Sequence, residues 1–270
     1  MKLLGIMGDP VSHSLSPLIH NAAIAKLGLE PSVYTRLLVG NAGELRRRFD
    51  THGLFGGNIT VPHKEAAFAQ CDEVRGLARK IGAVNTWVRE KDRIIGYNTD
   101  APGFMEAIAP IGTPKRTLIL GAGGTARAIA VAFNDRGWDA TVLNRSASRL
   151  DFFKSLGIKT ATWQTLPEEA FDLVINTTSA GLKDEALPLE ASVLERYFKN
   201  ARFAVDAIYG KVTPFLKQAG ALGLQTQDGG AMLVAQAVLA FEHFFPGNDR
   251  ALIDTAMKAA LLLPKEPLWR

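Results

Sequence analysis

The sequence predicts an α/β protein built from two domains. Strand-like and helix-like segments alternate along the chain, and a glycine-rich turn follows one of the predicted strands. That turn begins only at Gly121 of a 270-residue chain. Alternation of this kind predicts parallel sheet with right-handed crossovers, and the late turn leaves room for a separate domain ahead of it.

Predicted elements alternate from the first residues. Ser16 is expected to cap the first helix with its hydroxyl and Pro17 to begin it, while Gly28 ends it. Pro62 is expected to begin a later helix. The predicted strands of this part, the last two joined as a hairpin, are Leu3–Met7, Val33–Val39, Leu54–Val61, Val84–Arg89 and Ile94–Tyr97.

The rest of the chain shows the strand–helix–strand order of a doubly wound sheet. A helix begins at Pro102-Gly103, and the glycine turn lies between a strand, Arg116–Leu120, and a helix, Ala126–Arg136. Two helices separated by Pro246-Gly247-Asn248 end the chain. The further predicted strands are Ala140–Leu143, Leu173–Ile175 and Phe203–Val205.

Composition excludes several classes of partner. Apolar residues make up 47% of the chain and charged residues 21%, as in ordinary globular proteins. The net charge is only +4, and the basic cluster Arg46-Arg47-Arg48 lies in a helical stretch, so nucleic acid is not expected as a partner. No apolar run reaches the ~18 residues of a membrane span, and the N-terminus resembles a strand more than a signal peptide. The single cysteine, Cys71, excludes an intrachain disulfide and suits the reducing cytoplasm, which is the predicted location.

The glycine turn predicts a dinucleotide site. Gly121 permits a tight turn, Gly123 lets the backbone approach a pyrophosphate, and Ala126 replaces the third glycine of the usual pattern. The helix N-terminus adds free N–H groups and a positive dipole end. The predicted phosphate-binding residues are Gly121, Ala122, Gly123, Gly124, Thr125 and Ala126.

The end of the next strand indicates which dinucleotide binds. An NAD site places an acidic residue there to hold the ribose 2′-hydroxyl. This chain has Asn144-Arg145-Ser146 instead, with Arg149 four residues after Arg145. This i, i+4 spacing puts both arginines on one helix face, where they could contact a 2′-phosphate. We therefore expect NADP(H) rather than NAD(H).

Two ionisable residues are candidates for proton transfer. Lys64 lies near a predicted helix N-terminus, where a cation opposes the helix dipole. Asp100 follows the last strand of the hairpin, and it could equally be the N-cap of the next helix. Either residue alone is a weak signal. His13 and His63 are also titratable, but each has a simple interpretation as a loop or cap neighbour, so Lys64 ranks above them.

Taken together, short segments in nearly every part of the chain resemble the shikimate dehydrogenase family, and they occur in that family's order. The matching segments are Ser12–Pro17, Gly57–Lys64, Gly82–Thr86, Gly96–Asp100, the glycine turn, Asn144-Arg145, Asn176–Gly181, Asp206 with Tyr209 and Thr213-Pro214, and Gly229–Gln236.

The resemblance implies an oxidoreductase of aromatic amino-acid biosynthesis that reduces 3-dehydroshikimate reversibly to shikimate with NADPH. It implies an N-terminal α/β substrate domain, residues 1–101 plus 236–270, and a Rossmann-type doubly wound NADP domain, residues 102–235. The expected partners are the small-molecule substrate and cofactor, with no metal, and the chain is expected to be a monomer or homodimer. Hinges are plausible near Asp100–Gly103 and Gly229-Gly230.

The resemblance also assigns residues to roles. Lys64 and Asp100 would form the catalytic pair at the reacting oxygen. The substrate would be held by Ser14 and Ser16 at its carboxylate, by Asn58, Thr60, Asn85, Asp100 and Gln236 at its ring hydroxyls, and by Tyr209 lining the cleft. Asn144, Arg145, Ser146 and Arg149 would take the 2′-phosphate. Thr177, Ala207, Gly229 and Met232 would lie near the nicotinamide.

Three alternatives stay open at this point. The nearest is a quinate or dual quinate/shikimate dehydrogenase on the same fold. The second is a catalytically idle NADP-binding or regulatory protein, which the presence of both Lys64 and Asp100 disfavours. The third is another two-domain NADP enzyme such as a methylene-tetrahydrofolate dehydrogenase, which would give no reason for Ser14, Ser16 and the helix that carries Gln236.

Overall fold

The computed structural model describes residues 1–263 and divides the chain into two compact units. The terminal unit comprises Met1–Thr99 and the segment that begins at Val234, and the central unit comprises Asp100–Leu233. Residues 264–270 of the expected substrate domain lie outside the described residues. The domain boundaries expected from the sequence, 101/102 and 235/236, stay a prediction, because compactness alone does not show that a unit folds independently.

The terminal unit contains a mixed six-stranded sheet in the order β2-β1-β3-β5-β6-β4. Strands β1, β2 and β3 run parallel, β5 is antiparallel to both β3 and β6, and β4 is parallel to β6. The predicted hairpin is therefore confirmed. The elements are β1 (Leu3–Gly8), α1 (Ser16–Lys26), β2 (Val33–Leu38), α2 (Leu45–Thr51), β3 (Gly56–Ile59), α3 (Lys64–Gln70), β4 (Glu73–Val74), α4 (Ala78–Ile81), β5 (Thr86–Glu90) and β6 (Arg93–Tyr97).

Two glycines let β3 occupy the middle of this sheet. A Cβ on Gly56 would lie 2.7 Å from Cδ1 of Phe244, and a Cβ on Gly57 would collide with the carbonyl oxygen of Gly5 on β1. Only glycine fits these close approaches. Beside them, Trp87 of β5 packs edge-on against Phe49 with ring centroids 5.4 Å apart. These contacts hold β3, the strand that carries Asn58, in place.

The central unit contains a six-stranded, all-parallel sheet in the order β12-β11-β10-β7-β8-β9. This is the strand order of a Rossmann fold, and it confirms the predicted doubly wound sheet. The elements from here to the end of the described chain are α5 (Asp100–Ala107), β7 (Arg116–Leu120), α6 (Gly124–Asn134), β8 (Asp139–Asn144), α7 (Asp151–Ser155), β9 (Lys159–Thr162), β10 (Leu173–Asn176), α8 (Ala191–Phe198), β11 (Phe203–Asp206), α9 (Pro214–Ala221), β12 (Gln225–Gln227), α10 (Gly230–Phe244) and α11 (Arg250–Leu261).

Apolar side chains cover both faces of this parallel sheet. Ile119 belongs to a core cluster with Phe104 and Phe133, whereas its neighbours Leu118 and Leu120 belong to a different cluster. Alternate residues of a strand point to opposite faces, so the central unit has a core on each side of its sheet.

Three expected helix starts are wrong in detail. Ser16 is the first residue of α1 rather than its cap, because its hydroxyl bonds to Ser14 and not to the helix. Pro62 lies before α3, in a turn where the His63 N–H donates to the Thr60 carbonyl at 3.0 Å, so Lys64 is the first helical residue and not the third. Asp100 is itself the first residue of α5.

Within the described part of the chain, the structure contains no helix long and apolar enough to span a membrane.

Candidate active site

The two predicted carboxylate-binding serines lie together at the start of α1. Both are buried, the Ser14 hydroxyl donates to Ser16 Oγ at 3.2 Å, and the Ser16 N–H donates back to Ser14 Oγ at 3.2 Å. The loop is held by the Arg36 guanidinium, which donates to the Ser14 carbonyl at 2.6 and 3.1 Å. The loop therefore presents two neutral hydroxyl groups, while the charged Arg36 side chain is engaged by the backbone.

The Asn58 amide has a fixed orientation. Its Oδ1 accepts from the Tyr34 hydroxyl at 2.7 Å, and its Nδ2 donates to Thr86 Oγ1 at 3.1 Å and to the Asn85 carbonyl at 3.3 Å. Asn58 and Tyr34 are both buried. Because the donor and acceptor sides of the amide are each engaged, Asn58 presents one rotamer to any ligand. Sequence reasoning missed Tyr34, which lies on an edge strand with nothing to distinguish it from a packing residue.

A second amide, Asn85, joins β5 to α10. Its Oδ1 accepts from the Thr99 N–H at 2.8 Å and from the Thr86 hydroxyl at 2.9 Å, and its Nδ2 donates to Thr99 Oγ1 at 3.0 Å. Gln236 Oε1 lies 3.5 Å from both Asn85 Nδ2 and Thr99 Oγ1. The structure thus brings the predicted residues Asn58, Asn85 and Gln236 into one hydrogen-bond network, with Thr86 and Thr99 as the links that sequence reasoning did not assign.

The two predicted catalytic residues adjoin this network along the chain. The Lys64 carbonyl accepts from the N–H of Val84 at 2.9 Å, and Val84 precedes Asn85. Asp100 follows Thr99 directly and is 4% exposed. Both residues are therefore tied through the backbone to residues of the polar network.

The segment before Lys64 is firmly anchored. The Thr60 N–H donates to the Met7 carbonyl at 2.9 Å, and the buried His63 ring places Nε2 2.5 Å from the Val39 carbonyl oxygen. A carbonyl only accepts, so Nε2 carries the proton. Thr60 lies half-buried just after β3. His63 is accordingly a structural anchor next to Lys64.

The glycine turn has the geometry that a pyrophosphate needs. Gly121 has a φ of +106°, and a side chain there would lie 2.7 Å from Thr177 Oγ1. A Cβ on Gly123 would meet nothing within 4 Å, so space is open in front of the α6 N-terminus. The Gly123 cap residue supplies no side-chain hydrogen bond to the first turn of the helix. Open space beside a helix N-terminus fits a bound dinucleotide phosphate.

The remaining residues of the turn support its shape. Ala122 and Ala126 are buried, and Ala126 belongs to the apolar core beneath the sheet. The Thr177 hydroxyl donates to the Leu120 carbonyl at 2.6 Å, which ties the end of β10 to the start of the turn. Gly124 begins α6, and Thr125 follows it, half-buried.

The prediction that Arg145 and Arg149 lie on one helix face is wrong. Asn144 ends β8, and Ser146 has an extended backbone (φ −96°, ψ 119°) that caps a short 3-10 helix, Ala147–Leu150. Arg145 precedes that helix, so the two arginines do not share a helical face. Both are nevertheless exposed beside the carboxyl end of β8.

A buried acid organises the loop that carries Ala207 and Tyr209. Asp206 accepts from the Thr213 hydroxyl at 2.6 Å, from Asn176 Nδ2 at 3.1 and 3.2 Å, and from the Ile208 N–H at 3.0 Å. Burial raises the pKa of the Asp206 carboxyl, and these hydrogen bonds oppose the rise. The loop therefore rests on a hydrogen-bonded anchor.

Gly229 and Met232 lie at the start of α10. The Gly229 N–H donates to the Ile208 carbonyl at 2.9 Å, and a Cβ on Gly229 would collide with the Ala207 carbonyl. Met232 is 8% exposed and belongs to the core cluster of the central unit. Tyr209 is half-buried in the same unit. No group of three or more histidine, cysteine or acidic side chains suited to a metal ion occurs among residues 1–263.

The chain has a doubly wound sheet with an open dinucleotide turn. It also has a buried network of neutral hydrogen-bonding groups and a buried acid. Together these features define an NAD(P)-dependent oxidoreductase of small polar molecules. Comparison with known proteins narrows this class. The model of the shikimate dehydrogenase substrate binding domain matches residues 6–87. Relatives that are 40% and 46% identical to the chain cover 89% and 90% of it, so the chain belongs to the shikimate dehydrogenase family, which confirms the resemblance seen in the sequence motifs.

Individual relatives match along almost the whole chain. The NADP(+) shikimate dehydrogenase of Helicobacter hepaticus is 46% identical over 246 residues, 90% of this chain and 91% of that protein. The Thermus thermophilus enzyme of the same name is 40% identical over 251 residues, covering 89% of this chain and 91% of that protein. The crystal structure of Thermus thermophilus shikimate 5-dehydrogenase in complex with NADP(H) and shikimate has a TM-score of 0.83 at 37% identity, covering 96% of this chain and 100% of that chain.

Proposed function

We propose that this chain catalyses the reversible NADPH-dependent reduction of 3-dehydroshikimate to shikimate, with Lys64 and Asp100 as the catalytic pair. The observation that carries the proposal is the buried network that joins Asn58, Asn85 and Gln236. The relatives named above as NADP(+) shikimate dehydrogenases support the same reaction.

The network suits a ring with several hydroxyl groups. Its members are amides and hydroxyls, which can both donate and accept hydrogen bonds and carry no charge that the substrate would have to neutralise. Ser14 and Ser16 would hold the substrate carboxylate with their paired hydroxyls. A buried site of this kind rejects analogues that lack a hydroxyl, because protein groups would then be left without partners.

Lys64 and Asp100 would handle the proton of the reaction. When bound, NADPH supplies the hydride. The Lys64 ammonium can donate a hydrogen bond and then a proton to the substrate oxygen that gains negative charge. Asp100 can accept a hydrogen bond from the hydroxyl of the product and stabilise the Lys64 cation.

The central unit would hold the cofactor. The Gly121–Ala126 turn would bind the pyrophosphate with backbone N–H groups, and Asn144, Arg145, Ser146 and Arg149 would bind the 2′-phosphate. Thr177, Ala207, Gly229 and Met232 would lie near the nicotinamide, and Tyr209 would line the substrate side. The absence of an acidic residue at the end of β8 (Asp139–Asn144) supports NADP(H) over NAD(H).

The protein would work in the cytoplasm as a monomer or homodimer. One cysteine in 270 residues and a cofactor of reductive biosynthesis support a reducing compartment. Light scattering on the purified chain measures the oligomeric state directly.

Substitution of Lys64 tests the proposal. We expect Lys64→Ala to lower kcat for NADP+ reduction with shikimate by roughly 10²–10⁴-fold while the KM for shikimate changes little, because proton transfer is lost and most binding contacts remain. Lys26→Ala, which removes an exposed lysine at the end of α1, is the matched control. Steady-state assays with shikimate and with quinate also decide between the two substrates. A Lys64→Ala enzyme within a few-fold of the unmodified chain would refute the catalytic role.

A further inference from the structure

Trp163 is a large aromatic residue that the packing of the protein does not explain. Its side chain is 43% exposed, directly after β9 (Lys159–Thr162). An exposed indole leaves an aromatic face open to contact with a ligand.

The position of Trp163 places it beside the expected cofactor site. Strands β8 and β9 are parallel neighbours, and Asn144 pairs with Thr162 in the sheet register. The residues that follow this pair are Arg145 and Trp163, both at the carboxyl edge of the sheet, where doubly wound folds bind their ligands. The Arg145 guanidinium carbon lies 6.0 Å from the centroid of the Trp163 ring.

A tight turn holds Trp163 in place. The Thr165 N–H donates to the Thr162 carbonyl at 3.0 Å, and the Thr162 N–H donates to Thr165 Oγ1 at 3.0 Å. Trp163 is the second residue of this doubly closed turn. A ring whose backbone is already ordered loses little further entropy when a ligand stacks on it.

We propose that Trp163 is the surface on which the adenine base of NADP(H) stacks, next to the 2′-phosphate held by Arg145. The inference rests on the proposed cofactor function. Adenine is planar, aromatic and uncharged, and it is joined through one ribose to the 2′-phosphate. An exposed indole next to an exposed guanidinium matches that pairing of a flat base with an anion. Arg145 binds the 2′-phosphate, which only NADP(H) carries. Trp163 contacts the adenine base, which every adenine dinucleotide carries.

Binding measurements on the full chain separate these two roles. Isothermal titration calorimetry with NADP+ and NAD+ is performed on the unmodified chain and on Trp163→Ala, Trp163→Phe and Arg145→Ala. We expect Trp163→Ala to raise the Kd for both dinucleotides by the same factor, about tenfold, or ~1.4 kcal/mol. Trp163→Phe retains an aromatic face and should stay within about threefold of the unmodified chain. Arg145→Ala should raise the Kd for NADP+ only.

The control is Leu222→Ala, which removes another exposed apolar side chain of the central unit, 40% exposed, on the loop before the amino end of β12 (Gln225–Gln227). It should change neither Kd. An unchanged Kd for both dinucleotides in Trp163→Ala overturns the inference. A loss confined to NADP+ also overturns it, since Trp163 would then act only by supporting Arg145. If the unmodified chain itself fails to bind NADP+, the proposed function fails as well, and the two failures are thereby distinguished.

Discussion

Tyr34 determines which way the Asn58 amide points. Its hydroxyl is the donor to Asn58 Oδ1, at 2.7 Å, in a site where both residues are buried. Without that donor, Oδ1 loses a partner that water cannot readily replace, and the orientation of the amide then depends only on the hydrogen bonds that Nδ2 donates to Thr86 and to the Asn85 carbonyl. Asn58 would then present more than one orientation to a ligand.

We therefore expect Tyr34→Phe to raise the KM for shikimate roughly tenfold, leave the KM for NADP+ unchanged, and lower the free energy of unfolding by about 1–2 kcal/mol. Steady-state kinetics and urea denaturation measure these effects. Tyr97→Phe is the matched control, because it removes a hydroxyl that bonds to Arg75 at 3.1 Å in the same sheet. Equal KM values for shikimate in the two variants would contradict the positioning role.

At the residue scale, the sequence identified the functional residues that stand in motifs. It did not identify the residues whose role depends on packing. Lys64, Asn58 and Asn85 stand in motif segments, and the structure places all three in or next to one polar network. Tyr34 and Trp163 carry no motif. Their significance comes from neighbours in adjacent strands, and strand order cannot be read from residue periodicity.

At the scale of elements, the sequence predicted the central strands of the parallel sheet better than its edge strands. The strand Arg116–Leu120 has the bounds expected of it because a strand buried on both faces gives a continuous apolar run. The edge strands Lys159–Thr162 and Gln225–Gln227 were not predicted, since polar side chains dominate both. The observed helix starts differ from the predicted ones for a local reason. Side-chain and turn hydrogen bonds before α1 and α3 engage the backbone groups that a capping side chain would otherwise bind.

Helix α1 (Ser16–Lys26) carries a buried histidine that makes stability depend on pH. His20 is 0% exposed and stacks on Tyr34 with ring centroids 4.2 Å apart, with Phe241 and Phe244 of α10 also beside it. Within the described residues neither ring nitrogen has a hydrogen-bond partner. Burial disfavours the charged ring and lowers the pKa of His20 to about 3.

The pH effect has a definite sign. Between about pH 3 and the ordinary histidine pKa of about 6.5 the unfolded chain binds the proton and the folded chain does not, so stability falls as pH falls. We expect His20 to account for about 2 kcal/mol of unfolding free energy lost between pH 7 and pH 5. Urea denaturation at both pH values should show that His20→Phe, which keeps a stacking ring, removes this part of the loss.

The comparison isolates His20 from other titrating groups. Burial also lowers the pKa of His243, which adds to the loss in the same direction but is common to both proteins. If His20→Phe loses as much stability on acidification as the unmodified chain, His20 does not titrate as described.

At the scale of the whole molecule, the two units differ in how the chain forms them. The central unit is one continuous segment with a core on each face of its sheet. The terminal unit needs both ends of the chain, because α11 (Arg250–Leu261) packs on α1 and Phe244 packs on Gly56. The Lys2 ammonium also donates to the Phe244 carbonyl at 2.7 Å. The late position of the glycine turn left room for a separate domain ahead of it, but the return of the chain to that domain was implied only by the family resemblance, since no local pattern encodes so distant a contact.

This difference predicts how fragments of the chain behave. A fragment of residues 100–233 retains both cores and the whole cofactor site, so it should unfold cooperatively and bind NADP+ with a Kd within about threefold of that of the full chain, without turnover. Residues 1–99 alone lack the helices that cover α1 and β3 (Gly56–Ile59), and they should show no cooperative transition. Thermal denaturation followed by circular dichroism, with calorimetry for NADP+, checks both fragments. A folded 1–99 fragment would show that the terminal unit does not need its returning helices, and an unfolded 100–233 fragment would show that the central unit depends on the rest of the chain. Either result would contradict the predicted division into domains.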